Sequence, residues 1–318
     1  MTITILDHRE MPRVKEFIQK EWSEAKMLLD EKLEELAVDK HASVIDVAKY
    51  ICEGGKRFRG FLTLTTAKAI GGNWENAIDA AVAVEIVHAA SLAVDDIIDL
   101  DRFRRGRVAS WIMHGVSKTV LVSLLLISVA QKIVEKYGFK AIMHVIRAWE
   151  ETTRGEVADA ILYKVLRGPD YLEVAKAKTG ALFKLSTVLG AIAVEGYDYL
   201  ETLEEYGYKL GLAYQIADDI VDLVKAEEEK LKWKDLQPGV KLFIRWIAND
   251  AKFDPDTVPP YKALVEGAMH NLQDVVDRAV YLPTMLPENE YSQALMYLPY
   301  FMVEKMLGEA NLSLTSLI

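Results

Sequence analysis

Two short acidic runs have the residue types and spacing for metal chemistry. Asp95, Asp96 and Asp99 close the stretch AVAVEIVHAASLAVDDIIDLD, and Asp218, Asp219 and Asp222 close GLAYQIADDIVDLV. On a helix, the first and last aspartate of each run stand one turn apart on one face, with the middle one about 100° round. Each run ends an apolar stretch, and burying an unpaired carboxylate there costs several kcal/mol or more. Two such runs point to a cation shared between them. Mg2+ prefers oxygen ligands and binds through one or two carboxylates plus substrate phosphates. The paired DDxxD runs therefore suit two or three Mg2+ ions clamping a diphosphate. A lone DDxxD reads most simply as a solvated helix end; the second copy argues against that. Calcium fits poorly because no EF-type loop is present, and zinc because the six His and one Cys never cluster.

Cationic residues lie close to both ends of this arrangement. Lys56, Arg57 and Arg59 follow Gly54-Gly55 at a predicted helix start, where backbone N–H groups and the helix dipole favour an anion. Arg104 and Arg105 come just after the first acidic run. Cations beside a metal cluster fit two diphosphates, one held through metal and one directly by Arg and Lys. On a solvent face the same arginines would only neutralise neighbouring acids. His88, seven residues before Asp95, shares the aspartate face, as a satisfied core residue or as a donor to phosphate.

Long helices must position these groups. Hydrophobic periodicity predicts helices from Pro12 to Leu36, Ser43 to Cys52, Lys56 to Ile70, Trp74 to Asp101, Ser117 to Lys136, Phe139 to Leu166, Tyr171 to Glu195, Leu203 to Lys234, Lys241 to Asn249, Tyr261 to Tyr281 and Glu288 to Leu307. No strand alternation, linker or stacked repeat interrupts them. The expectation is an all-α, single-domain bundle over residues 1–318. Net charge is −10 without a basic tail, which argues against a nucleic-acid partner. The single Cys52 excludes an intrachain disulfide, and the N-terminus lacks the pattern of a signal peptide. The longest uncharged stretch, Thr119 to Gln131, is too short to span a bilayer. A cytoplasmic protein without an integral membrane segment is expected.

The motifs taken together resemble the trans-isoprenyl (polyprenyl) diphosphate synthase family over most of the chain. GGKRFRG (54–60), EIVHAASLAVDDIID, RRG (104–106), KTGALF (178–183) and YQIADDIVD occur in the family's order. The wording of GKRFRG, SLAVDDIIDLD and FKLSTVL is most similar to the archaeal hexaprenyl and geranylfarnesyl branch. The resemblance implies the isoprenoid synthase fold, ten or more mostly antiparallel helices around a deep apolar cavity, as a homodimer. It implies a prenyltransferase joining isopentenyl diphosphate to a dimethylallyl, geranyl, farnesyl or geranylgeranyl diphosphate. Asp95, Asp96, Asp99, Asp218, Asp219 and Asp222 would bind Mg2+ and the allylic diphosphate. Arg104, Lys178 and Thr179 would hold that diphosphate; Lys56, Arg57, Arg59, His88 and Arg105 would hold isopentenyl diphosphate. Gln215 would steady the carbocation.

Some positions depart from the family pattern. Gly60 replaces a proline, Val122-Ser123-Leu124 lies where a Gly-Asp is usual, and Glu156 replaces a glutamine after Gly155. The lysine after the second acidic run is Lys232 by count, with Lys225 as the other candidate. For chain length, the positions below Asp95 are Ser91, Ala90, Val87 and Val84, the last roughly 16 Å down the axis. In the family an aromatic four or five residues before the first aspartate floors the cavity at a farnesyl product. Here Ser91 and Ala90 leave it open, which favours C25 to C30 over C20, with Trp149 and Tyr163 as candidate ends. Small residues there also permit close helix packing alone. Two rivals remain: a class I terpene cyclase, for which the DDIVD run and basic set are wrong, and a non-catalytic partner subunit, which usually loses aspartates.

Overall fold

The structure, a computed structural model, describes residues 11–36, 38–160, 170–249 and 253–314. Among the described residues there are thirteen α-helices. They are α1 (Met11–Glu34), α2 (Ala42–Cys52), α3 (Phe58–Ala69), α4 (Trp74–Ile98), α5 (Ser110–His114), α6 (Val116–Val134), α7 (Phe139–Ala160), α8 (Tyr171–Ala175), α9 (Ala181–Ile192), α10 (Leu200–Glu228), α11 (Pro238–Ile247), α12 (Tyr261–Tyr281) and α13 (Glu290–Leu307). Local signals set the ends: Asn73 caps α4 by accepting from Asn76 N at 2.9 Å, and Asn289 with Ser292 forms a capping box on α13.

The two helices carrying the acidic runs are the axes of the bundle. α4 packs against α3, α6 and α9, and α10 against α9, α12 and α13. The middle of α4 is nearly all apolar and small, and α10 offers Gly207, Gly211 and Ala213, which let neighbours approach closely. One apolar cluster joins α1–α4, α6, α7, α9, the first half of α10 and α13. A second joins α8 and α10–α13, with Tyr214 and Tyr300 against both.

The helical expectation differs from the structure after α4, before α9 and at Glu228, where α10 stops short of the expected Lys234. α4 stops at Ile98, and Leu100 takes a left-handed conformation (φ 60°). A two-residue hairpin follows, β1 (Phe103–Arg104) against β2 (Arg107–Val108), with Phe103 opposite Val108. Strands this short leave no alternation to read. The helix expected from Tyr171 to Glu195 is broken by a π-turn at Lys176–Gly180. α7 is seen to Ala160, so its expected continuation to Leu166, with Tyr163, lies outside the described residues.

α4 and the segment Val116–Tyr137 are long and apolar enough to cross a bilayer by length and composition. α4 is a core helix: 67% of its most apolar window is buried. The other window is only 33% buried, and Val116, Leu121 and Leu124 are exposed.

Candidate active site

The C-terminal halves of α4 and α10 flank a cavity of about 800 Å³. Asp95 and Asp99 line it from α4; Asp218, Asp219 and Asp222 line it from α10. Asp96 does not. Its helix phase turns it away, and its carboxylate accepts from Arg104 Nε at 2.6 Å in a separate small cleft. Asp96, expected from the sequence to bind metal, thus lies against Arg104 and not among the cavity carboxylates. Asp219 is also committed: Tyr171 OH donates to its Oδ2 at 2.5 Å and Gln215 Nε2 to its Oδ1 at 3.3 Å. This leaves Asp95 and Asp99 opposite Asp218 and Asp222 as the uncommitted carboxylate pairs, although Asp222 has Lys225 at 3.0 Å.

The electrostatics of these pairs calls for a cation. Burial, aided by Asp95, pushes Asp99 up to about 6, and burial, aided by Asp222, pushes Asp218 up to about 6. Asp95 Oδ1 is buried with no hydrogen-bond donor among the described residues. Among the described residues no three acidic, His or Cys side chains converge to cage an ion by themselves. The donor set thus fits Mg2+, which completes its shell with water and substrate phosphate. A pH effect follows. Ordinary carboxyls titrate near 3.8. Between that value and the raised one the native state holds more protons than the unfolded chain, so stability falls as pH rises through this window. Mg2+ should therefore raise Tm at about pH 7.5, with an increment that shrinks towards pH 5. An increment as large at the acidic end would contradict this.

α7 adds two acids, Glu156 and Asp159. Lys178 Nζ lies 2.9 Å from Asp159, 3.0 Å from Glu156 and 3.6 Å from Asp95. Burial raises the Glu156 carboxyl. Thr179 Oγ1 donates to Gln215 Oε1, tying the π-turn to α10. Sequence reasoning missed Asp159, whose only signal is its i,i+3 spacing from Glu156.

On the opposite wall, Arg59 NH1 donates to His88 Nε2 at 2.9 Å and its guanidinium lies 4.5 Å from the centre of the Phe183 ring. Burial, then Arg59, holds the His88 pKa well below its ordinary value, so the ring is neutral with its proton on Nδ1. Arg105 NH1 donates to Glu53 O at 3.0 Å and Gly54 O at 2.8 Å. Its guanidinium lies where a Cβ on Gly55 would fall, 2.8 Å from Cζ, so that turn needs glycine. Lys56 Nζ meets Glu309 Oε1 at 2.6 Å, a carboxylate that an incoming anion would displace.

Arg57 and Lys232 differ from expectation. Arg57 points into the core: Nε bonds Asp30 at 2.7 Å, NH2 bonds Cys52 O at 2.7 Å, and NH1 approaches Glu85 at 3.5 Å. Although Arg57 is one of the residues lining the cavity, its side chain is only 1% exposed and its guanidinium is turned to these core acceptors. Glu85 also accepts from Gly60 N at 2.7 Å, so the anion at the start of α3 is the protein's own carboxylate. A proline, the family's usual residue there, has no N–H to give. Lys232 lies away from the cavity, 3.6 Å from Asp256; Lys225 lines it.

The cavity wall on α4 consists of Glu85, His88, Ser91, Leu92, Asp95 and Asp99. Of the expected chain-length positions only Ser91 belongs to it. Ala90 and Val87 face other helices, and Val84, on the Asp95 stripe, lies below the cavity; all three are fully buried. Thr152 and Leu182 also line the cavity, while Trp149 packs in the core.

An all-helical bundle with two opposed acidic helix ends above one cavity defines the isoprenoid synthase fold. Geranylgeranyl pyrophosphate synthetase from Pyrococcus horikoshii superposes with a TM-score of 0.78 at 27% identity, covering 92% of this chain and 99% of that one. The chain belongs to the polyprenyl synthetase family, whose sequence profile matches residues 41–253, and it is a prenyltransferase. It is 38% identical to hexaprenyl pyrophosphate synthase of Saccharolobus solfataricus over 212 residues, 66% of this chain and 74% of that one. It is 30% identical to geranylfarnesyl diphosphate synthase of Methanosarcina mazei over 213 residues, 66% of this chain and 72% of that one.

Proposed function

We propose that the protein makes an all-trans C25–C30 prenyl diphosphate by Mg2+-dependent condensation of isopentenyl diphosphate with an allylic diphosphate. The observation that carries the reaction is the opposition of Asp95 and Asp99 to Asp218 and Asp222 across one cavity. Mg2+ held there would neutralise charge on the departing diphosphate. Lys178, held by the carboxylates of Asp95, Glu156 and Asp159, turns its ammonium to the same diphosphate and favours ionisation of the allylic C–O bond. Arg59, Arg105 and Lys56 hold isopentenyl diphosphate so that its double bond meets the cation, a proximity effect. The walls exclude water, and the released diphosphate takes the proton.

Ser91 in the cavity wall, with no aromatic residue at either position below Asp95, supports the longer product. The full burial of Val84 and Val87, neither of which lines the cavity, favours the C20 alternative. A non-catalytic subunit is disfavoured because all six aspartates are present. Labelled isopentenyl diphosphate with farnesyl or geranylgeranyl diphosphate and Mg2+ decides between them. C25 or C30 alcohols after dephosphorylation are expected; a stop at C20 would move the floor to Ser91, and no elongation would overturn the enzymatic reading.

A cytoplasmic homodimer is part of the proposal. Ile112 and Met113 on α5 and Val116, Leu121 and Leu124 on α6 are exposed apolar side chains suited to a second copy of the chain.

A further inference from the structure

We propose that Tyr208, outside the cavity, is a positioning residue that holds Lys178 and Thr179 towards the allylic diphosphate through the π-turn between α8 and α9. The inference rests on the role proposed above for Lys178 and Thr179.

The turn Lys176–Gly180 carries one residue more than an α-helical turn, an irregularity that recurs at functional sites. Relaxing it to α-helix would rotate the following residues by about 100° and carry Lys178 and Thr179 off the cavity wall. Something must hold it. Part of the grip is backbone against backbone: a Cβ on Gly155 would lie 2.4 Å from Lys178 N, and one on Gly211 would lie 2.6 Å from Gly180 Cα. α7 and α10 therefore touch the turn directly.

Tyr208 secures the outer side. Its ring centre lies 4.3 Å from Lys176 Nζ on the turn and 4.4 Å from Lys184 Nζ on α9. Its hydroxyl donates to Glu151 Oε1 on α7 at 2.6 Å. Lys184 bonds Glu151 Oε2 at 2.7 Å and also donates to the Tyr208 hydroxyl. One aromatic side chain on α10 thus joins α7, α9 and the turn. Tyr208, Glu151, Lys176 and Lys184 do not line the cavity, so none of them touches substrate.

The test is steady-state kinetics of the full chain with geranylgeranyl and isopentenyl diphosphates. Tyr208→Leu should lower kcat about tenfold to a hundredfold, the scale of a small misplacement of a catalytic group. KM for isopentenyl diphosphate should stay within about twofold, because Arg59 and Arg105 sit on other elements. Tyr208→Phe keeps the ring beside Lys176 and should restore most of kcat. Lys176→Met alters an exposed residue and should fold normally, while lowering kcat about threefold through loss of one cation–π contact. Wild-type kcat in Tyr208→Leu would overturn the proposal, as would a lower Tm with kinetic constants per folded site unchanged. If Tyr208→Leu does not fold, unchanged kcat in Lys176→Met overturns it. Wild-type protein that fails to elongate any primer would instead reject the reaction assigned to the site.

Discussion

Asp95→Ala and Asp218→Ala should each lower the condensation rate by at least about a thousandfold, a barrier increase of about 4 kcal/mol. The two residues sit on different helices and face one cavity, so each removes one side of the same cation site. Removing either should also relieve an unfavourable charge: Asp95 raises the pKa of Asp99, and burial raises that of Asp218. Both variants should therefore fold with Tm equal to or above wild type in the absence of metal. Asp96→Ala is the informative contrast. Its carboxylate serves Arg104, so activity should fall less than in Asp95→Ala, through displacement of Arg104. Near-normal turnover in Asp95→Ala or Asp218→Ala would sink the assignment.

Arg57→Met should destabilise the protein by about 3–5 kcal/mol, because it leaves Glu85 buried without its cation. Side-chain exposure is 1% for Arg57 and 2% for Glu85, so water cannot substitute. For a chain of this size the Tm should drop on the order of 10 °C. The double variant Arg57→Met with Glu85→Gln should recover part of the loss, since the amide oxygen can still accept from Gly60 N. Were Arg57 instead a direct ligand of isopentenyl diphosphate, the single variant would keep its Tm and raise KM.

The helices and both acidic runs were legible because they follow from periodicity and spacing. Every described helix except the short α5 overlaps an expected one, α8 and α9 together lying in the single stretch expected from Tyr171 to Glu195. The π-turn was illegible because it breaks phase without glycine or proline at its start, inside a stretch whose apolar residues suit an unbroken helix. Side-chain direction within motifs was harder. Asp95 and Asp96 look equivalent in sequence, and only the rotation of α4 separates a cavity carboxylate from an arginine partner. Arg57 reads as one of three cations; its left-handed backbone (φ 55°) at the start of α3 turns it into the core. The one signal for its partner was Glu85, a lone acid within an apolar helix, which requires a buried counter-charge. Glu309 gave no signal, because it meets Lys56 only through the tertiary fold.

The central claim is that the two carboxylate pairs bind divalent metal jointly with a diphosphate. Electron paramagnetic resonance with Mn2+ in place of Mg2+, with and without inorganic diphosphate, tests it most directly. Weak Mn2+ binding to the protein alone, tightened strongly by diphosphate and lost in both Asp95→Ala and Asp218→Ala, is the expected result. Mn2+ binding that ignores diphosphate, or that survives in both variants, would contradict it.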